Sequence, residues 1–286
     1  MTATRTAPAT EVLDFLADRD LVVLTGAGLS TDSGIPDYRG PGAPRSPGGS
    51  RGARPPGVMT FQEFVAGPAA QQRYWARSHL GWARMGSATP NDGHRALARL
   101  DPSLLITQNV DGLHEAAGSR RIAALHGRVA DVVCLTCRRT TSRAALQARL
   151  DKLNADWTAR HSHSAMRPDG DVDLDATADF VVADCECGGV LKPDVVFFGE
   201  NVPPDRVARC YDAVDALGTD GALLVAGSSL TVMSGLRFVK RAARAGTSVV
   251  IVNRGPTRGD DLATYKLEVG TSEFLVDLDQ SRRTKM

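Results

Sequence analysis

Short apolar runs alternate with segments of helical periodicity along this chain, and the alternation constrains its fold more than any other feature. Each run is short enough and apolar enough to be a strand that is buried on both faces. Helical spacing is present at residues 204–217 and 233–245. Strands that alternate with helices predict an α/β fold, a doubly wound parallel sheet with crossover helices of the Rossmann-like class. The five runs lie at residues 21–24, 104–106, 195–198, 222–226 and 249–252.

The overall charge excludes several classes of partner. The chain has 286 residues, and 34 basic against 33 acidic side chains leave a net charge of +1. This balance provides no field that would attract nucleic acid or an anionic membrane, so we expect a small molecule or a protein as substrate. No apolar run reaches the length of a membrane-spanning helix, about 18 residues, and we expect a soluble globular protein.

Two stretches break the alternation and divide the chain into predicted domains. Residues 40–57 are so rich in Gly, Pro and Arg that we expect a mobile loop, either a functional lid or a plain insertion. Residues 134–187 contain two close cysteine pairs separated by a polar segment. We therefore predict a discontinuous Rossmann-like domain (1–39, 86–131 and 190–286), a flexible loop with a helical insertion (40–85) and a small domain (132–189).

A glycine-rich turn follows the first predicted strand, in the string TGAGLSTDSGIPDYRG. Gly26 and Gly28 lie where a strand turns into a helix, so backbone amides and the helix dipole can hold a phosphate there. The alternative is a tight turn that serves packing alone. Thr31 replaces the third small residue of the usual dinucleotide fingerprint, and no Lys-Ser or Lys-Thr pair follows the glycines. These departures disfavour an ordinary dehydrogenase and a nucleoside triphosphate loop.

The cysteines predict a metal site and a reducing compartment. Cys134 and Cys137 have the spacing that can bind one metal ion, and Cys185 with Cys187 supplies a second pair, so four thiolates can form a closed structural zinc site. A reduced, metal-free cluster is the alternative, as is His161 or His163 as a ligand. The total of five cysteines precludes complete disulfide pairing. The opening residues lack an apolar signal segment, so we expect a cytoplasmic protein rather than a mitochondrial one.

Several strings taken together resemble the sirtuins, the NAD-dependent protein-lysine deacylases. GAGLS with GIPDYR is followed, in the order of that family, by TQNVDGLH, LHG, the cysteine pairs, KPDVVFFGE, GSSLTV and IVN. The resemblance extends from about Glu11 to Leu275, and QRYWARSHLGWARM and PDGDVDLD look most like the class II branch. One residue separates Cys185 from Cys187 where the family usually has two, and Asp184 stands at the usual cysteine position.

The resemblance implies a deacylation that consumes NAD and yields nicotinamide, free lysine and an O-acyl-ADP-ribose. His126 matches the base of the family, and an imidazole is largely neutral near pH 7 yet able to accept a proton. Asn109 and Asp111 would hold the nicotinamide carboxamide and a water molecule, and Gln108 would reach the ribose. Without the resemblance, the same residues are consistent with a structural histidine, a turn and a helix cap at Asp111.

The resemblance also implies a large set of cofactor contacts. The segment from Ile35 to Arg39 would close over NAD, Gly227 to Ser229 would hold phosphate or ribose oxygens, and Asn253 would contact the adenosine ribose. Each could instead be a loop residue that satisfies its own backbone. The implied cofactor residues are Gly26, Ala27, Gly28, Ser30, Ile35, Asp37, Tyr38, Arg39, Gln108, Asn109, Val110, Asp111, Gly227, Ser228, Ser229, Asn253, Arg254, Gly255 and Thr271.

The implied partner is an acyl-lysine protein or peptide, which would add as a strand to residues 195–198. Two alternatives remain for the function: mono-ADP-ribosyl transfer to protein, and a catalytically silent module that senses NAD. His94 and His114 are predicted to be capping or packing residues, and Cys210 is predicted to lie in the core.

Overall fold

Four of the five predicted strands belong to one sheet. The protein is described by a computed structural model, which covers residues 7–36, 58–85, 88–161 and 177–285. Within these ranges the strands are β1 (Leu21–Thr25), β2 (Leu104–Thr107), β3 (Ile122–Ala124), β4 (Gly127–Cys134), β5 (Thr140–Ser142), β6 (Leu191–Val195), β7 (Ala222–Ala226), β8 (Ser248–Val252) and β9 (Tyr265–Leu267).

The helices of the described residues connect these strands. They are α1 (Ala9–Ala17), α2 (Ala27–Ser30), α3 (Phe61–Val65), α4 (Pro68–Met85), α5 (Asp92–Leu100), α6 (Leu113–Ala116), α7 (Arg143–Leu153), α8 (Ala155–His161), α9 (Pro204–Ala216), α10 (Met233–Ala245) and α11 (Thr271–Lys285). The helices predicted at 204–217 and 233–245 are confirmed as α9 and α10. Proline at the start of α9 and the left-handed Gly246 after α10 are the expected helix boundaries.

The chain divides into two compact units. The first comprises residues 1–43, 89–126 and 202–286, and the second comprises residues 44–88 and 127–201. These boundaries differ from the predicted ones. The prediction places residues 127–131 and 190–195 in the Rossmann-like domain, but β4 and β6, which contain most of them, pair with each other in the second unit. Helices α3 and α4 lie within the predicted insertion. No helix among the described residues is long and apolar enough to cross a membrane.

The first unit contains a six-stranded parallel sheet in the order β3-β2-β1-β7-β8-β9. Successive side chains of a strand point to opposite faces, and both faces are covered here. Val22 and Leu24 belong to one buried apolar cluster, whereas Leu21 and Val23 belong to the other. The prediction of a doubly wound parallel sheet is thus confirmed.

The second unit contains a three-stranded antiparallel sheet in the order β5-β4-β6. The prediction of a strand at residues 195–198 is wrong, because the strand is β6 and ends at Val195. Pro193 is tolerated because β6 is an edge strand. Beyond β6 the chain turns at Gly199, which has a φ of 79°. Trp75, Phe180 and Leu191 pack in the core of this unit.

Candidate functional site

The predicted site residues of the first unit lie where its parallel strands end. Residues 26–30 follow β1, residues 108–111 follow β2, residues 227–229 follow β7 and residues 253–255 follow β8. These four strands are neighbours in the sheet, so the loops after them lie along one edge. Open α/β sheets bind ligands at this carboxyl edge.

The glycine turn packs backbone to backbone against the loop after β7. The amide of Gly26 donates to the carbonyl of Ala226 (3.2 Å), and the amide of Gly28 donates to that of Gly227 (2.9 Å). A Cβ atom on Gly26 would lie 2.7 Å from the Cβ of Ser228. The two glycine amides are therefore engaged within the protein, which corrects the expectation that they are available to a phosphate. The glycines are required here by close approach.

Asn109, Ser30 and Asp111 form a hydrogen-bonded set between the loops after β1 and β2. Asn109 Nδ2 donates to the Gly26 carbonyl (3.0 Å) and to Ser30 Oγ (3.0 Å), and Ser30 Oγ donates to Asp111 Oδ2 (2.8 Å). Asp111 Oδ1 accepts from the Leu113 amide at 2.9 Å. Asp111 thus accepts from the first amide of α6, although the N-cap residue is Gly112 and not Asp111 as the alternative interpretation predicted, and it also holds Ser30. The side chains predicted to hold nicotinamide are brought together.

A buried network lies beneath this set, and the sequence reasoning missed most of it. Thr25 and Thr107 occupy paired positions at the ends of β1 and β2, with 2.9 Å between their Oγ1 atoms. Thr107 Oγ1 also accepts from the Asn109 amide (3.1 Å), and Thr25 Oγ1 lies 2.9 Å from His114 Nε2. The signal for these threonines was their equal offset from the ends of two adjacent apolar runs.

His94 and His114 are both fully buried, with ring centroids 4.8 Å apart. His94 accepts at Nδ1 from the Asn91 amide and its own amide donates to Asn91 Oδ1, which completes a capping box on α5. The prediction that His94 caps and packs is confirmed. Burial is the main cause that lowers the pKa of His94 to about 4, and burial together with the neighbouring His94 lowers the pKa of His114 to about 3.

His126 lies just beyond β3, and both ring nitrogens have partners. Nδ1 is 2.9 Å from the Gln108 carbonyl oxygen, and Nε2 is 2.8 Å from Ser234 Oγ. Gln108 itself is held by Ser228, whose Oγ donates to Gln108 Oε1 at 2.6 Å. Burial lowers the pKa of His126 below its ordinary value, and the contact with the Gln108 backbone opposes that shift. The ring is therefore neutral at neutral pH, which suits a base.

The loop after β8 satisfies part of its own backbone. Asn253 Nδ2 donates to the carbonyls of Arg254 (2.9 Å) and Gly255 (3.1 Å), and Gly255 has a φ of 82°. In the loop after β7, Ser229 Oγ lies 2.9 Å from Thr231 Oγ1. These contacts match the alternative of loop residues that satisfy their own backbone, and they leave the predicted cofactor contacts of this region as predictions.

The remaining predicted cofactor residues are more scattered. Thr271 is buried at the first position of α11, and the amide of Ile35 donates to the Ser30 carbonyl (3.2 Å). Ala27 begins α2 and Val110 lies between Asn109 and Asp111. Asp37, Tyr38 and Arg39, together with the predicted loop at 40–57, lie outside the described residues, as does His163.

The four predicted cysteine ligands converge in the second unit. Their Sγ atoms all lie within 4.8 Å of one another, with 3.6 Å between Cys134 and Cys187 and 3.8 Å between Cys137 and Cys185. Four sulfurs at Zn–S distances of about 2.3 Å in a tetrahedron lie about 3.8 Å apart. The four cysteines are thus positioned to bind a metal ion, and the one-residue spacing of the second pair does not prevent it. His161 bonds instead to the Trp157 carbonyl.

An ion pair joins Lys192, which is buried in β6, to the partly buried Glu200 beyond the strand. Lys192 Nζ is 2.9 Å from Glu200 Oε2 and donates to the Val195 carbonyl, and Glu200 Oε2 accepts from the Phe197 amide (2.9 Å). Burial lowers the pKa of Lys192, and Glu200 opposes that shift. The Phe197 carbonyl accepts from the Glu200 amide, and the Phe198 carbonyl accepts from another amide of this unit. Three carbonyls of the predicted peptide-pairing segment are therefore already engaged.

Comparison with known proteins gives consistent results. Residues 26–234 match the model of the Sir2 family. The NAD-dependent protein deacetylase 1 of Mycobacterium avium (strain 104) is 52% identical over 277 residues, which cover 94% of each chain. The NAD-dependent protein deacetylase 1 of Streptomyces coelicolor is 52% identical over 263 residues, which cover 90% of this chain and 84% of the relative.

Solved Sir2 structures are also similar to this chain. A Sir2 structure with a p53 peptide and NAD+ is 29% identical, with a TM-score of 0.70, and the match covers 97% of this chain and all of that one (100%). A structure of Sir2Tm bound to a propionylated peptide is also 29% identical, with a TM-score of 0.70 and coverage of 96% and 98%. Since the family model matches more than half of the sequence and the relatives cover nearly all of it, the chain belongs to the Sir2 family.

Proposed function

We propose that this chain is an NAD-dependent protein-lysine deacylase that releases nicotinamide, free lysine and an O-acyl-ADP-ribose. The observation that carries the proposal is the neutral His126 ring, whose Nδ1 faces the Gln108 carbonyl and leaves Nε2 as a base. Asn109 and Asp111 lie in the same loop as Gln108. Support comes from relatives at 52% identity that are named NAD-dependent protein deacetylases.

In the first unit, some residues bind NAD and another accepts a proton. NAD supplies, when bound, an anomeric carbon from which nicotinamide can leave. Asn109 and Asp111, held in place through Ser30, bind the nicotinamide carboxamide and a water molecule, and Gln108 binds the ribose. His126 Nε2 accepts the proton of a ribose hydroxyl. Amides and hydroxyls that donate and accept, together with a carboxylate that accepts, fit a dinucleotide, because such ligands present sugar hydroxyls and an amide.

Zinc has a structural role in this proposal. Four thiolates fill a tetrahedral site and leave no coordination position for a substrate, so the ion stabilises the second unit and takes no part in the reaction. Thiolate ligands must stay reduced to bind zinc, and reduced cysteines are typical of the cytoplasm. We therefore propose a cytoplasmic location on the ground of the thiolate chemistry. Membership of the class II branch of the sirtuins is proposed on the ground of sequence resemblance.

The acyl-lysine peptide pairs with the second unit by strand addition near residues 195–198. Support comes from β6, which is the edge strand of its sheet and ends at Val195, where this segment begins; because three carbonyls of the segment already have partners, the peptide would pair with its remaining backbone groups. A set of peptides with single N-methylated amides tests this mode. We expect methylation at alternate positions to raise the peptide KM by about tenfold, the effect of about 1.4 kcal/mol. Equal effects at every position would contradict pairing as a strand.

Mass spectrometry of an acyl-lysine peptide incubated with protein and NAD tests the function itself. A panel from acetyl to lipoyl and dicarboxylic acyl groups covers the unknown acyl preference. We expect the peptide to lose the mass of the acyl group while an O-acyl-ADP-ribose appears. ADP-ribose gained on protein with no loss from the lysine would favour mono-ADP-ribosyl transfer. NAD binding without any turnover of the panel would favour a silent sensing module.

A further inference from the structure

Ser234 is in direct contact with the nitrogen of His126 that serves as the base. Its Oγ lies 2.8 Å from His126 Nε2, while Nδ1 of the same ring lies 2.9 Å from the Gln108 carbonyl oxygen. A carbonyl oxygen can only accept a hydrogen bond, so Nδ1 carries the ring proton. A neutral imidazole carries one N–H, which leaves Nε2 as an acceptor. The Ser234 hydroxyl therefore donates its proton to Nε2.

This hydrogen bond selects one tautomer and one orientation of the ring. Ser234 Oγ–H and the Gln108 carbonyl lie on opposite sides of the imidazole and are a donor and an acceptor, respectively. The other tautomer would place the Nδ1 lone pair against the carbonyl, and a flipped ring would place carbon atoms at both partners, so either change would lose a hydrogen bond. A hydroxyl that points its proton at Nε2 has the same hydrogen-bonding role that a sugar hydroxyl must have before it loses its proton to this nitrogen.

The backbone fixes the position of Ser234. It is the second residue of α10, and the next residue, Gly235, packs against the Gln108 side chain so closely that a Cβ there would lie 2.8 Å from Gln108 Nε2. Gln108 is fixed in turn by Ser228 Oγ, which donates to Gln108 Oε1 at 2.6 Å. The start of α10, Gln108 and His126 are thus in mutual contact, which fixes the backbone position of Ser234 and leaves rotation of its side chain as the way to free Nε2.

We propose that Ser234 is a positioning residue for the base: in the free protein its hydroxyl donates to the Nε2 lone pair and holds His126 in the Nδ1–H tautomer, until the sugar hydroxyl takes its place as the donor to that nitrogen. The proposal rests on the function proposed above, because it assigns a role at the same base. Ser234 acts through His126, so its loss should reduce the rate of turnover more than the affinity for NAD.

Ser234→Ala and Ser234→Thr form a matched pair of variants that tests this role. Ser234→Ala removes the donor, and Ser234→Thr keeps it. We expect kcat for deacylation to fall about fivefold in Ser234→Ala, the usual effect of one hydrogen bond, with the KM for NAD within about twofold of wild type. Ser234→Thr should recover most of the rate. A thermal melt of each variant identifies any loss of folding.

A long-range ¹H–¹⁵N NMR spectrum of the His126 ring gives a readout that is independent of activity. We expect the wild type to be the Nδ1–H tautomer with a hydrogen-bonded Nε2, Ser234→Thr to match it, and Ser234→Ala to shift the Nε2 resonance. A wild-type Nε2 resonance together with wild-type kcat in Ser234→Ala would overturn the role of Ser234. Absence of deacylation by the wild type would instead overturn the proposed function, while the NMR comparison would still test the hydrogen bond.

Discussion

Gly227 illustrates how one missing side chain determines the geometry of the site. Its φ is 68°, in the left-handed region that favours glycine, and a Cβ atom there would lie 2.5 Å from the Leu29 amide nitrogen. Its carbonyl accepts from the Gly28 amide. Close contact between the loops after β1 and β7 therefore depends on the absence of a side chain at this position.

The variant Gly227→Ala should cost about 3–4 kcal/mol of the free energy of unfolding, because backbone strain and a steric clash add together. Gly218→Ala is the matched control, since Gly218 also has a positive φ (56°), but a Cβ atom there would meet no other atom within 4 Å. Strain alone should cost about 1–2 kcal/mol there. Urea unfolding measures both values, and equal losses in the two variants would contradict the importance of close approach.

At the residue scale, site residues within short local sequence motifs are predictable from the sequence, whereas those that depend on tertiary contacts are not. Asn109 and Asp111 were predictable because they share a short string after an apolar run. Ser234 and Thr25 were not, because each acquires its role from a partner about ninety or more residues away in the sequence, His126 and His114 respectively. No local periodicity encodes such a pairing.

At the scale of elements, α5 and α6 bring together two buried neutral histidines. The pKa values of His94 (about 4) and His114 (about 3) are below the ordinary 6.5, so the unfolded chain binds protons that the folded chain does not. Stability should therefore fall as the pH drops below 6.5, and the contribution of His94 to this loss should end near pH 4.

His94→Gln should flatten this dependence while it keeps the helix start, because Gln at this position also completes a capping box. Between pH 6 and 5 we expect the slope of the unfolding free energy to decrease by about 1.4 kcal/mol per pH unit relative to wild type. Urea unfolding at several pH values measures the slope. The same slope in both proteins would show that His94 is not kept neutral by folding.

The strand β6 shows why one element was misassigned. Its residues include Lys192, Pro193 and Asp194, which no pattern of apolar residues would identify as a strand. Lys192 is nevertheless buried, because Glu200 and backbone carbonyls compensate its charge. The adjacent apolar run then resembled a strand, although Gly199 begins a turn after it. Compensation of this kind depends on the folded chain and is not encoded locally.

Lys192→Met should destabilise the second unit by about 3–5 kcal/mol, because it leaves the Glu200 carboxylate partly buried without its partner. The double variant Lys192→Met with Glu200→Gln should recover part of that loss, since the unpaired charge is removed and an oxygen remains for the Phe197 amide. Urea unfolding of the two variants measures the difference. A double variant less stable than Lys192→Met would contradict the buried-charge explanation.

At the scale of the whole molecule, the two units have different sources of stability. The first unit has two apolar clusters on the faces of its six-stranded sheet. The second has a three-stranded sheet, one apolar cluster and the four-cysteine group, and Cys134 and Cys185 belong to both the cluster and the metal group. Zinc binding by such groups contributes about 10–16 kcal/mol in peptides, comparable to the stability of a whole domain.

Removal of zinc by a chelator should therefore unfold the second unit and leave the first folded. We expect about one zinc ion per chain and, after chelation, rapid amide hydrogen exchange confined to residues of the second unit. Cys137→Ser should lose the metal, whereas Cys210→Ala, a change in the core of the first unit, should retain it. Full zinc content in Cys137→Ser would show that this cysteine is not a ligand.

The most direct test of the account compares His126→Ala with wild type for two quantities, deacylation turnover and NAD affinity. A general base contributes about 10²–10⁴-fold to a rate, so kcat should fall at least about 100-fold while the Kd for NAD stays within about threefold. Deacylation of an acyl-lysine peptide by His126→Ala at the wild-type rate would contradict the central claim that this imidazole is the base.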